Sequence, residues 1–195
     1  MTQSPEISED PRVLQTRSLL REALSELIQT EPPEKISVSQ LCKKAGVSRP
    51  TFYQHFADVD AAYGALVIDM LSRRMNQEDA PAFSEGLREA LTLLIEYIEK
   101  SHNFYSEVLS NTSQLNRTRN ELRQWLKRKL ASFLFAEKYE ELKTDEKEKL
   151  TFITGGVMAS LAEQITQENG KSSAQDTANR LYAYALTIQN VKPMD

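Results

Sequence analysis

The stretch from Ser37 to Phe56 leaves the backbone few choices. Ser37 with Gln40 three residues on is a capping-box pattern that opens a short helix, and Gly46 ends that helix after about two turns. Ser48 can cap the next one, which tolerates Pro50 in its first turn because the first amides of a helix have no partner within it. Upstream, Val13, Leu20, Leu24, Leu27 and Ile28 recur at helical steps over residues 12–30, and Glu31-Pro32-Pro33 stops the helix they define. Downstream, Asp58 can cap a longer helix through Ala61, Tyr63, Leu66, Val67, Met70 and Leu71 that reaches residue 74. A short capped helix, a tight turn at glycine and a second short helix are the anatomy of a helix-turn-helix.

After a loop at Glu78-Asp79-Ala80-Pro81, helical patterning returns over residues 83–100, 102–109, 114–139, 145–167 and 174–190. The 195 residues hold only 6 Gly and 7 Pro, and the strings between them are rich in strong helix formers. The expected fold is all-α, with about nine helices: an N-terminal three-helix head with the helix-turn-helix, and a C-terminal helical bundle. Residues 1–10 mix Pro, Ser and acids without periodicity and are expected to form a disordered arm. The charged run 137–149 reads as a solvated connection.

The net charge of −4 gives no support to a nucleic-acid partner, but its distribution does. From Lys35 to Ala57 there is no Asp or Glu, whereas Lys35, Lys43, Lys44 and Arg49 are all present. The single cysteine, Cys42, excludes an internal disulfide and suits a reducing compartment. No apolar run has the ~20 residues of a membrane helix, and the polar, acidic N-terminus has no signal-peptide core; a soluble, cytoplasmic protein is expected. No phosphate-binding loop, nucleophile elbow or zinc-protease motif is present, so no enzyme, metal or cofactor is expected.

Placed on a wheel at about 100° per residue, Phe52 and Phe56 share one side of the second short helix, where they can pack with Leu41, Ala45 and Val47. Pro50, Thr51 and Gln54 fall opposite, with Tyr53 and His55 on the flanks. This is what a major-groove helix requires: a strip that touches base edges, bordered by groups that reach phosphates. Gln54 suits an adenine edge, Pro50 and the Thr51 methyl suit a thymine methyl, and Arg49 suits guanine or phosphate. The same pattern is also that of an ordinary solvated helix face.

The string LCKKAGVSRPTFYQHF resembles the signature of the TetR/AcrR family of transcription regulators, over about a quarter of the chain. The resemblance implies an all-α homodimer on a palindromic DNA operator, probed by the head 11–57, with 58–195 binding an unknown small-molecule effector and dimerising. It places DNA contacts on Ser37, Ser39, Arg49, Pro50, Thr51, Tyr53, Gln54 and His55, to which Lys44 of the basic island is added. Ser37 has the alternative of serving only as a cap, and His55 of packing against the first helix. Effector contacts are expected at Tyr97, His102, Phe104, Tyr105 and Trp125, although aromatic residues at such spacing are also ordinary core. The dimer interface is expected at Phe152, Gly156, Ala159, Leu181, Tyr184, Ala185 and Ile188, stripes that a monomer would bury internally. Repression released by the effector is the mode the resemblance implies.

Two positions depart from the family pattern. Val59 replaces a Lys that pins a phosphate, and Ala62 replaces a larger apolar residue, which loosens the expected packing of the head on the fourth helix. An enzyme without recognisable motifs, and a relative that has lost DNA binding and serves as an interaction module, are the rival readings. With one ionic contact missing at Val59, the slope of log affinity against log salt should be shallower than that of a Lys-bearing relative; an equal or steeper slope contradicts this.

Overall fold

The computed structural model describes residues 10–75, 86–110, 115–166 and 172–192. Among them are nine α-helices and no strand: α1 (Pro11–Thr30), α2 (Val38–Ala45), α3 (Arg49–His55), α4 (Val59–Met75), α5 (Leu87–Lys100), α6 (His102–Leu109), α7 (Asn116–Phe135), α8 (Thr144–Thr166) and α9 (Ala174–Gln189). Single 3₁₀ turns lie at Pro33–Lys35 and Tyr139–Glu141. The loop expected at 78–81, the start of a helix at Phe83, and the ends at Gln114 and Gln167 fall outside the described residues.

The core of the head is built from Leu20, Leu24 and Ile28 of α1, Leu41 and Ala45 of α2, and Phe52 and Phe56 at α3. It runs without a break into α4 through Ala62, Tyr63 and Leu66 and on into the bundle, so all these residues belong to one buried cluster. Ala62 is itself fully buried. A second link from α1 to α4 is polar: Arg21 Nη1 donates to Asp69 Oδ2 at 2.6 Å, and Arg73 Nε donates to Asp69 Oδ1 at 3.2 Å. Burial pushes the Asp69 carboxyl up, but the bonds from the two guanidinium groups more than offset this and hold it below its ordinary value. The link therefore persists at neutral pH and is lost only as pH falls through that lowered value.

α4 packs most extensively on α7, and a carboxylate welds their first turns together. Leu115, the residue before α7, supplies no side-chain cap. Asp60 of α4 supplies it instead: Oδ2 accepts from the Arg117 amide at 2.9 Å, and Oδ1 accepts from the Thr118 amide at 2.9 Å and the Thr118 hydroxyl at 2.7 Å. A negative charge at a helix N-terminus satisfies orphan amides and complements the helix dipole. Beside it, Arg117 pairs with Asp58 at 3.2 Å. One turn on, Gly64 lets the helices approach, since a Cβ there would meet Glu121 Cγ at 3.1 Å and Thr118 Cα at 3.5 Å.

α7 ends at Phe135, earlier than the patterning to residue 139 suggests. Ala136 turns left-handed (φ 56°, ψ 23°), while Tyr139 and Leu142 continue the apolar spacing from a 3₁₀ turn and the segment after it. Replacing Asp60 with Ala should strand the buried Thr118 hydroxyl and two amides, lowering stability by about 2 kcal/mol in urea unfolding. Asp60→Asn, which keeps an acceptor, should recover part of that loss.

Candidate nucleic-acid interface

The helix-turn-helix is fastened at each end by its own side chains. At α2 the Gln40 amide donates to Ser37 Oγ at 3.2 Å and the Ser37 amide donates to Gln40 Oε1 at 3.2 Å, a complete capping box. Gly46 then adopts φ +65°, a left-handed conformation open to glycine at little cost, and its amide closes on Cys42 and Lys43 carbonyls. Ser48 opens α3 by accepting from the Thr51 amide at 3.1 Å, and the two hydroxyls lie 2.7 Å apart.

α3 thus presents a fixed set of side chains. Phe52 is fully buried, and Phe56 lies against it at a ring separation of 5.5 Å. Arg49, Pro50, Tyr53 and Gln54 are exposed, and Thr51 and His55 are half-buried. Tyr53 is 49% exposed yet held edge-on against Phe52, with rings 87° apart, so its hydroxyl is carried on a supported ring. The His55 ring leans on Phe56 at 6.3 Å. Arg49 lies near Cys42: burial pushes that thiol up, and the Arg49 charge partly opposes the shift.

On α2, Ser37 and Ser39 are both exposed, although the Ser37 hydroxyl is committed to the cap. Lys44 faces α1, where its ammonium pairs with Glu26 at 2.6 Å.

The group that holds this head on the rest of the chain was read from the sequence only as one apolar position of the fourth helix. Tyr63 of α4 is fully buried, and its hydroxyl donates to the carbonyls of Ile36 at 2.7 Å and Pro33 at 3.2 Å, immediately before the Ser37 cap. Its ring stands edge-on to Phe104 of α6 at 5.6 Å. Burial, with a smaller contribution from Glu34, raises the Tyr63 hydroxyl far above its ordinary value, so it remains a donor throughout the usable pH range. Neither this hook nor the Asp60 cap has a local pattern; both join residues distant in sequence.

The five residues considered for an effector are dispersed. Phe104 and Tyr105 are fully buried and stand edge-on to each other at 5.2 Å; Tyr97 is half-buried beside Tyr105. Trp125 is buried, and its indole N–H donates to Ser72 Oγ at 2.9 Å. It borders a crevice of about 20 Å³ between α5 and α7 that none of the other four lines. His102 is exposed at the start of α6; its Nε2 lies 2.6 Å from the Ile165 carbonyl, which can only accept, so Nε2 carries the proton.

The seven residues considered for a dimer divide differently. Leu181 and Ala185 are buried, while Phe152 (70% exposed), Tyr184 (60% exposed), Gly156, Ala159 and half-buried Ile188 remain at the surface. Phe152, Gly156, Leu181, Tyr184, Ala185 and Ile188 line one apolar groove of about 250 Å³ between α8 and α9.

Residues 20–61, from the middle of α1 to the first turn of α4, match the family model described as bacterial regulatory proteins, tetR family. The head is a tetR-family head. The whole chain has the corresponding fold. A TetR transcriptional regulator from Rhodococcus sp. RHA1 superposes with TM-score 0.64 at 14% identity, over 89% of this chain and 96% of that one. The dihydroxyacetone kinase operon activator DhaS gives 0.60 at 18% identity, over 88% and 94%. A TetR transcriptional regulator from Streptococcus agalactiae 2603V gives 0.57 at 22% identity, over 95% and 99%. No curated protein matches the chain.

The family and these neighbours are transcriptional regulators. Among the described residues no helix is long and apolar enough to cross a membrane, and no group of three or more His, Cys, Asp or Glu could hold a metal. Because Ser48 fixes both the start of α3 and the Thr51 hydroxyl, Ser48→Ala should cost about 1 kcal/mol in urea unfolding. It should also weaken DNA binding by more than the fraction unfolded accounts for.

Proposed function

We propose that this chain is a ligand-responsive transcriptional regulator of the cytoplasm, without enzymatic activity, that binds a palindromic operator as a homodimer and releases it when a small molecule occupies the bundle. One observation carries the reading: α3, capped at its start and buried on one side, turns Arg49, Pro50 and Gln54 outward between Tyr53 and His55. A rigid helix with this face can place Gln54 and Arg49 on base edges while Tyr53 donates to a phosphate. In this reading residues 11–57 are the DNA-binding unit and 58–195 carry the effector site and the dimer interface.

The dimer is supported by the α8 and α9 groove. Phe152 and Tyr184 are large and apolar, they flank Gly156, and a Cβ at Gly156 would meet nothing within 4 Å. A second copy related by two-fold symmetry buries the same patch on both partners and sets two α3 helices on successive turns of one DNA face. Release by an effector is supported by the bundle's aromatic cluster around Tyr97 and Tyr105, whose opening would move α6 against Tyr63.

Selection from random duplex DNA should return a two-fold symmetric sequence. Tyr53→Ala should weaken binding to it at least a hundredfold at physiological salt, towards the level of non-specific binding, and leave the dimer folded. Phe152→Glu should yield a monomer in sedimentation with weakened operator binding. If no duplex is enriched, the alternative reading stands: an interaction module without DNA binding, consistent with the acids Asp58 and Asp60 around Val59.

A further inference from the structure

α3 has two flanks, and a helix lying in the major groove has a phosphate strand along each. On one flank stand Tyr53 and the start of α2. On the other, α3 does not end the surface: Thr51, Gln54 and His55 share an open groove of about 670 Å³ with Asp10, Arg12, Val13, Thr16 and Arg17. The first turns of α1 therefore form its outer wall.

This wall is unusual for a helix start. A helix N-terminus favours anions, and helices commonly place acids in the first turn. α1 has none there beyond its cap; it opens Pro11-Arg12, with Arg17 a turn and a half on. The Asp10 carboxylate faces inward on its own helix, where Oδ1 accepts from the Arg12 amide at 2.9 Å. The Thr16 hydroxyl is likewise spent locally, donating to the Arg12 carbonyl at 2.9 Å. The exposed Arg12 guanidinium is the wall's outermost cation, and two arginines outnumber one aspartate in the groove. Together the helix dipole, the free amides and the arginines attract one kind of ligand, an anionic oxygen.

We propose that the first turn of α1 is a DNA-backbone anchor, in which Arg12, with Arg17 behind it, takes a phosphate on the His55 flank of α3. It rests on the DNA-binding reading above, and it answers a deficit in that reading. The head has Val59 where a lysine would hold phosphate at α4, and Lys44 is paired with Glu26. Arg12 supplies an ionic contact from a different helix and on the opposite strand from Tyr53. Such a contact positions the protein without reading sequence, so its loss weakens binding to every duplex alike.

The test compares wild type, Arg12→Gln and Arg12→Lys on the duplex recovered by selection and on a scrambled duplex of the same length, across a salt series. Arg12 is exposed in the first turn, so neither change threatens the fold. Arg12→Gln should reduce the slope of log affinity against log salt by about 0.9 per head, and Arg12→Lys should keep it. The affinity lost between ~50 and ~200 mM salt should shrink by about threefold per head. The selected sequence should not change. Unchanged slope and affinity in Arg12→Gln, with wild type binding normally, overturns the anchor alone. A changed sequence preference also overturns it, since Arg12 would then read bases. Failure of wild type to bind any duplex overturns the DNA-binding reading and the anchor with it.

Discussion

The Tyr63 hydroxyl is the point on which the head depends. It leaves a fully buried ring on α4 and donates to the Ile36 and Pro33 carbonyls, which lie on the turn between α1 and α2. That turn is closed by prolines and carries the capping serine of α2. Fixing it therefore fixes the entry angle of α2 and, through Gly46 and Ser48, the direction of α3. The other face of the same ring environment is Phe104, in the middle of α6. A buried hydroxyl left without an acceptor costs about 1–3 kcal/mol, so α4 and the head are strongly biased to move as a unit.

The Asp60 carboxylate plays the matching part at the other side of α4. By capping α7 it ties the first turn that follows the head to the longest contact in the bundle, and Asp58 with Arg117 adds a solvent-facing strap. A shift of α6 or α7 would thus reach α3 through two polar joints a single helical turn apart. Both joints are directional, whereas the apolar packing between them is not. This arrangement transmits a rotation of the bundle better than a purely hydrophobic seam would.

Features that are local in sequence were legible there. The caps at Ser37, Ser48 and Asp58, the left-handed Gly46 and the buried side of α3 follow from spacing of four residues or fewer, and the structure has each of them. What joins distant segments was not legible. Nothing near Tyr63 distinguishes it from an apolar α4 position, and nothing near Asp60 announces that it caps a helix more than fifty residues away. The bundle aromatics show the same limit: Phe104, Tyr105 and Trp125 have a patterning common to core and to ligand sites, and their burial places them in the core of this conformation. Ala136 ends α7 with a residue that carries no signal for the left-handed turn it makes.

The use of cations on the head says how such a surface would hold DNA. Lys44 is neutralised by Glu26, Arg21 and Arg73 share Asp69, and Arg117 leans on Asp58. These pairs hold helices to one another and reduce the charge left for phosphate. Arg49 and Arg12 remain outward, one on each of two helices that border the same groove. With so few free charges, counterion release contributes modestly, and affinity must come from hydrogen bonds at Tyr53 and Gln54 and from engaging two half-sites together. A dimer whose spacing is set by the α8 and α9 face would then determine binding as much as any contact in the groove, because each head alone holds its half-site weakly.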